Sequence, residues 1–229
     1  MGLQTLNFEA GVLYQCAPAR GACATDYALL GMNGPAKRCI DVILTLQAIV
    51  FLLPIFILIT IAIKLEGGTV LFRQDRIGKG GQRFSMLKFR TMHSDSDIRL
   101  RTLLEQCPNS QKEWQTYQKL RYDPRITHVG DFLRRSSLDE LPQLFNILKG
   151  DMSIVGQRPI LPCQRDAYGR HFEGYERARP GLTGLWQVSG RNALTFQDRA
   201  ALGSEYIRNW SIWFDIKLIA LSIPRVLFS

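Results

Sequence analysis

Asp139 and Glu140 stand side by side in the segment DPRITHVGDFLRRSSLDELPQLFNILKGDMSIVGQRPI, residues 123–160. Neighbouring side chains on a helix point about 100° apart, so the pair is poorly placed to act as acid and base across one bond. The pair suits a nucleophile beside a metal-binding carboxylate at a helix start. There the free N–H groups and the positive end of the dipole favour a phosphoryl group. A second reading of the same residues involves no chemistry. Ser137 precedes Glu140 at capping-box spacing, and Asp139 complements the helix dipole. Arginines near stiff residues favour the chemical reading. Arg134 and Arg135 precede the pair, Arg158 lies in Gln-Arg-Pro, Arg179 in Arg-Pro-Gly, and Arg90 in Lys-Phe-Arg-Thr-Met. Arginine binds phosphate oxygens bidentately and keeps its charge. A carboxylate pair with several loop-held arginines is what phosphoryl transfer from a diphosphate requires.

These residues need elements to position them. Leu141, Leu144, Phe145 and Leu148 repeat at i, i+3, i+4, i+7, which predicts an amphipathic helix that Gly150 closes. Pro142 fits only near its first turn. Residues 68–92 predict a β-hairpin turning at Gly78-Lys79-Gly80-Gly81, with six basic residues and one Asp between Arg73 and Arg90. Those glycines are not a phosphate-binding P-loop, since no Gly-Lys-Ser/Thr follows. Residues 94–120 predict an exposed helical excursion. Residues 179–192, RPGLTGLWQVSGRN, read as a glycine-punctuated loop with three strand-like apolar positions. Trp210 to Ser229 predicts a helix, in the core or in the bilayer interface.

Val42 to Ile63 is 22 residues without a charge. A straight helix of that length matches the roughly 30 Å hydrocarbon core. One reading is a transmembrane span. The other is a re-entrant pair of half-helices broken at Leu53-Pro54, because Pro54 removes a backbone hydrogen bond and Lys37, Arg38 and Lys64 make both flanks basic. Sequence alone divides these evenly.

The chain has 229 residues, 46% apolar and 21% charged, which fits one folded domain with an appendage. A mean hydropathy of −0.06 excludes a polytopic membrane protein. The net charge is +9, and the charges of residues 1–63 cancel, so residues 64–229 carry all of it. A basic body calls for an anionic partner. Five scattered cysteines and three separated histidines form neither a disulfide framework nor a zinc motif. Residues 1–34 lack the order of a secretory signal and read as a mobile tail.

KRCIDVIL, LFRQDRIGKGGQRFSMLKFRTM, the 123–160 segment and RPGLTGLWQVSGRN, in that order, resemble the bacterial sugar transferases, or monotopic phosphoglycosyl transferases. The resemblance covers roughly residues 36–229 and looks closest to short exopolysaccharide enzymes that act on undecaprenyl phosphate with galactose or glucose. It implies transfer of a hexose 1-phosphate from a UDP-sugar to undecaprenyl phosphate with release of UMP, the start of exopolysaccharide repeat-unit assembly. It implies that Asp139 is the nucleophile, forming a phosphosugar-aspartate, and that Glu140 with Asp139 binds Mg²⁺. By motif position Arg134 and Arg158 hold phosphate, with Arg90, Arg179 and Arg191 as further candidates. It also implies a re-entrant segment at the bacterial inner membrane, with the catalytic face cytoplasmic. Leu53 departs from the Ser that the family often has before the central proline.

The expected fold is α+β. A tail (1–35) precedes a re-entrant membrane helix-break-helix (36–66). A cytosolic and interfacial catalytic domain (67–229) of helices follows, with a β-hairpin and interfacial amphipathic helices. The expected partners are a UDP-sugar, polyprenol phosphate and membrane lipid, without nucleic acid. The oligomeric state stays open, a homodimer included. Two alternatives stand beside this reading. One is a membrane-bound phosphohydrolase using the same dyad with water. The other is a basic membrane adaptor, which has no use for Asp139 and Glu140.

Overall fold

The computed structural model describes residues 28–117, 120–190 and 194–227. Most of the expected N-terminal tail and Arg191 lie outside the described residues.

The first long element is α1, Pro35–Leu65, preceded by a helical turn at 28–32. Pro35 opens it where a missing N–H does no harm, and Lys64 complements the dipole at its end. Helical residues run through Leu53-Pro54 without a gap. The stretch is long and apolar enough to cross a membrane, and only 11% of its most apolar window is buried. One stripe packs on the rest of the chain: Lys37, Asp41, Thr45, Ile59 and Ile63 are buried. The other face leaves Val50, Phe51 and Leu58 exposed at 73, 82 and 66%. An apolar face of that extent belongs in lipid, so the chain is membrane-associated.

The expected hairpin forms. Strand β1, Leu71–Ile77, pairs antiparallel with β2, Arg83–Phe89, and Lys88 stands opposite Phe72. Gly80 and Gly81 turn the chain at φ of 72° and 71°, a region costly for any side chain. The exposed excursion also forms, as α2, Ser96–Gln106, and α3, Pro108–Tyr117. Helix α4, His128–Arg135, starts at Thr127, whose hydroxyl accepts from the Gly130 N–H. A 3₁₀ turn, Leu138–Glu140, then leads through Pro142 into α5, Gln143–Lys149.

This local geometry corrects the expected helix. Ser137 does not cap it. Its backbone is left-handed at φ 56°, and its side chain makes no capping bond. The dyad therefore lies in the turn ahead of α5 instead of in its first turn. The buried positions of α5 are Gln143, Leu144, Asn146 and Ile147, while Phe145 is 45% exposed and stacks edge-on against Phe56 of α1 at 5.7 Å. The helix turns its apolar stripe partly toward the membrane helix and sends polar side chains inward. Gly150 ends it as expected, at φ 100°.

Strand β3, Ser153–Val155, pairs parallel with β4, Gly181–Thr183, with Ser153 opposite Gly181. The backbones of Gly156 and Gly181 approach so closely that a Cβ on either would overlap the other. Between these strands lie 3₁₀ turns at Pro162–Gln164 and Asp166–His171 and the short helix α6, Phe172–Glu176. The loop expected over 179–192, with three strand-like apolar positions, is strand in one part, at Gly181–Thr183, and helix in another, α7, Leu185–Val188. Helix α8 is Phe196–Arg208 and α9 is Ile212–Leu227. In α9 Leu218 is buried in the core while Trp213 is 79% exposed, so the helix has both a core face and an open apolar face.

A buried polar network fastens α1 to the last two helices. Lys37 Nζ lies 2.7 Å from Asp41 and 2.8 Å from Asp215. Ser153 donates to Asp41, and Tyr206 and Trp210 donate to Asp215. Cys39, Cys107 and Cys163 are free thiols.

Candidate active site

Strand β2 brings Lys88 onto the same face as Phe84 and Met86, which pack into the core with Leu144 and Ile147. Its outer edge is completed by a side chain. Asn146 Oδ1 accepts from the Leu87 N–H at 2.9 Å, and its Nδ2 donates to the Ser85 carbonyl at 2.8 Å. The turn carrying the dyad is pinned from both sides by Leu138 and Leu141, which pack against Phe89, Leu133 and Ile63. The left-handed Ser137 sets the direction in which this turn leaves α4. Such backbone costs about 1–2 kcal/mol for an L-residue and is retained where the surroundings over-determine it.

Lys88 Nζ lies 3.3 Å from Asp139 Oδ2 and 2.7 Å from Glu140 Oε1. Asp139 is buried, and burial pushes its carboxyl above the usual carboxylate range. Lys88 opposes that rise, Glu140 adds to it, and Arg134 opposes it more weakly. Glu140 is more open than Asp139. A buried carboxylate facing a cation is reactive toward phosphorus once ionised, and the neighbouring cations keep that form accessible.

The structure brings some of the expected arginines to this dyad. Arg134 lies within electrostatic reach of Asp139, with its Nε donating to Thr91 Oγ1 at 2.9 Å. Arg158 lies within reach of Glu140, with its guanidinium stacked 4.7 Å from the Trp186 ring centre. Arg90 and Arg179 hold backbone instead. Arg90 donates to the carbonyls of Ile63 and Gly67, clasping the C-terminal end of α1. Arg179 donates from Nε to the Gly150 carbonyl at 2.9 Å, at the end of α5.

Lys88, Arg76 and Arg199 were missed in sequence. Lys88 lies in β2, two residues before Arg90 and within the basic stretch from Arg73 to Arg90. Arg76 lies in the same hairpin, within reach of Arg158 and Glu140. The basic excess of the hairpin was the available signal, but it does not say which cation faces the dyad. Arg199 lies in α8, where nothing in the local pattern marks it.

Among the described residues no three His, Cys, Asp or Glu side chains gather as a metal cage. Magnesium rarely needs one. It takes one or two carboxylates and completes its shell with water and phosphate oxygens. The paired oxygens of Asp139 and Glu140 fit that pattern, and both face one positive charge, that of Lys88.

Residues 32–229 match the family described as Bacterial sugar transferase. The chain belongs to the bacterial sugar transferase family. The exopolysaccharide production protein ExoY of Sinorhizobium fredii is 43% identical over 203 residues, 88% of this chain and 90% of that protein. An undecaprenyl-phosphate galactose phosphotransferase of Salmonella typhimurium is 42% identical over 191 residues, 83% of this chain and 40% of that protein. The UDP-glucose:undecaprenyl-phosphate glucose-1-phosphate transferase of Escherichia coli is 38% identical over 207 residues, 86% of this chain and 41% of that protein. This sugar transferase thus spans nearly the whole of the ExoY relative and about two fifths of the longer ones. It is an enzyme of the phosphoglycosyl transferase class, which leaves no place for the non-catalytic adaptor.

Proposed function

We propose that this sugar transferase moves a hexose 1-phosphate from UDP-galactose or UDP-glucose to undecaprenyl phosphate, releasing UMP and starting an exopolysaccharide repeat unit. The relatives' names supply the substrate classes. The observation that carries the reading is the buried Asp139 carboxylate, paired with Glu140 across one Lys88 ammonium and faced by Arg134.

The chemistry follows as two displacements. A carboxylate oxygen of Asp139 attacks the sugar-bearing phosphorus. The bond from that phosphorus to the bridging oxygen breaks, and the oxygen leaves on UMP. An oxygen of the lipid phosphate then attacks the same phosphorus and returns the Asp139 carboxylate. Lys88 opposes the rise that burial gives the Asp139 carboxyl. Arg134 and Arg158 offset charge on the phosphate oxygens. Asp139 and Glu140 would hold magnesium, which when bound supplies charge neutralisation for the diphosphate.

The same proposal places α1 as a re-entrant element at the cytoplasmic face of the inner membrane. Both its ends are tied to the same folded body. Arg38 donates to the carbonyls of Ile147 and Leu148 at one end, and Arg90 clasps Ile63 and Gly67 at the other. A straight helix of 31 residues would part its ends by about 46 Å. Pro54, near the middle of the exposed apolar stretch, supplies the bend.

The test uses the full chain in nanodiscs with undecaprenyl phosphate and a panel of UDP-sugars. The expected result is lipid-dependent UMP release with UDP-galactose or UDP-glucose. Mass spectrometry of quenched enzyme should show one phosphosugar adduct on the peptide holding Asp139. Full-speed turnover with no adduct at any quench time overturns the covalent step. Lipid-independent release of free sugar phosphate overturns the transfer.

A further inference from the structure

Next to the dyad lies a cavity of about 140 Å³ whose lining includes Arg76, Arg158, Arg199, Gln164, Tyr168 and Phe196. Three guanidiniums meet there, and among the described residues none of those lining it is acidic. Their partners are mostly neutral. Arg76 donates to the Pro159 carbonyl and to Gln74. Arg158 and Arg199 both lie over the Trp186 ring, at 4.7 and 5.7 Å. The acidic group within reach of Arg76 and Arg158 is Glu140, which already carries Lys88. Arg76 is only 9% exposed, and burial, then the Arg158 charge, pushes its pKa down to about 10.

The unmet groups at this place are all donors. The Nε–H of Arg76 and of Arg199 are buried without an acceptor. So is Nε2 of Gln157, whose Oε1 accepts from the hydroxyl of the lining residue Tyr168. Clustered like charges with spare N–H groups favour an incoming anion rich in acceptor oxygens. The volume is below the roughly 300–1,000 Å³ of cavities that enclose a whole ligand, so one part of a substrate enters.

We propose that this cavity is an oxyanion subsite in which Arg76, Arg158 and Arg199 receive a substrate phosphate group, separate from the phosphorus that reacts at Asp139. Which phosphate it holds rests on the transferase reading above. The candidates are the nucleotide phosphate that leaves with UMP and the phosphate of the lipid acceptor. Both present the same oxygens.

Arg199→Gln and Arg199→Lys separate the possibilities in the full chain, with Arg158→Gln as a second site should Arg199→Gln fail to fold. UDP binding is measured by calorimetry without turnover, and KM is measured for each substrate. A donor phosphate is indicated by UDP binding at least about tenfold weaker in Arg199→Gln, partly restored in Arg199→Lys, with donor KM raised to match. A raised KM for undecaprenyl phosphate alone assigns the subsite to the lipid phosphate. UDP affinity and both KM values within twofold of wild type, in a folded variant, overturn the subsite. If wild type binds UDP through Arg199 but transfers no sugar, the transferase reading fails and the subsite stands.

Discussion

The Nζ of Lys88 lies 2.7 Å from Oε1 of Glu140. The same ammonium reaches Asp139 Oδ2 at 3.3 Å, so one cation from a strand end serves both carboxylates of the turn. Its hold depends on β2 being fixed by β1 on one edge and by Asn146 on the other. The hairpin and α5 are thus parts of one device that places a positive charge against the nucleophile.

Replacing Lys88 with Met removes the charge that opposes the raised pKa of Asp139. The pKa then rises further, and a larger share of Asp139 is protonated and unable to attack. The acid limb of the kcat/KM profile is expected to move to higher pH. The rate at pH 7 is expected to fall roughly 10²-fold or more, in the range seen when one electrostatic stabiliser is lost. Lys88→Arg keeps the charge and should recover part of both effects. A pH–rate series on the three proteins decides it, and an unmoved acid limb in Lys88→Met refutes the role.

Stability should follow the same shift with a definite sign. The folded-state pKa of Asp139 lies above its unfolded value, because burial outweighs its cationic neighbours. The folded state therefore binds the proton more tightly, and the ionised form weakens the fold above the folded pKa. Asp139→Asn is expected to raise the melting temperature at pH 7 while abolishing turnover. The gain should shrink as pH falls through the folded pKa toward the unfolded one. Melting curves at pH 7 and near pH 4 give the comparison, and a gain that grows in acid contradicts the sign.

Some of this was legible in the sequence, and the reasons differ by residue. Gly80, Gly81 and Gly150 announced a turn and a helix end because their backbones have positive φ, which a side chain resists. The dyad stood out because of the arginines near stiff residues around it, since the two acids alone read equally as a helix cap and a dipole partner. The start of α5 was not legible. Leu138 and Leu141 must reach a cluster made by Phe89, Leu133 and Ile63, which forces a separate turn and a left-handed Ser137. Phe145 misled because an apolar stripe beside a membrane helix need not face the core. The Lys88 contact is tertiary, a strand meeting a turn, and no local period reports it.

Lys37 is 3% exposed and shared by Asp41 and Asp215, which join α1 to α9. Lys37→Met leaves two buried carboxylates without their cation. The expected loss is about 3–5 kcal/mol, read from denaturant unfolding in detergent. Asp41 also accepts from Ser153, and Asp215 from Tyr206 and Trp210, so these hydroxyl and indole donors soften the loss without replacing the charge. A loss under about 1 kcal/mol indicates that the network is solvated.

Asn146→Leu keeps the branched heavy-atom skeleton in a bulkier side chain and removes both bonds to the open edge of β2. The Leu87 N–H and the Ser85 carbonyl then lack partners, at a cost of about 1–3 kcal/mol. Because Leu87 adjoins Lys88, kcat is expected to fall more than the stability loss accounts for at saturating substrate. Equal kcat in the folded variant at low temperature means that the strand edge does not position Lys88.

The proposed re-entrant course of α1 rests on a bend at Pro54 and on the clasps at its two ends, and the accessibility of those ends tests it. Cys39 is exposed near one end of the helix, and Leu65, 84% exposed, stands at the other. In a chain with the other cysteines replaced by Ser, Cys39 and Leu65→Cys can each be labelled with a membrane-impermeant thiol reagent. A re-entrant helix predicts that both react in inside-out vesicles and neither reacts in intact spheroplasts. Pro54→Ala restores a backbone bond and removes a disruption of about 3 kcal/mol, which favours a straight span. Straightening is opposed by the clasps at the two ends, Arg38 on Ile147 and Leu148 and Arg90 on Ile63 and Gly67. Pro54→Ala alone is therefore expected to lower activity with both ends still on one side. Pro54→Ala with Arg38→Ala should begin to label Cys39 from the outside. Labelling of the two wild-type ends from opposite faces makes α1 a simple span, and the domain contacts at one of its ends must then be absent in the membrane.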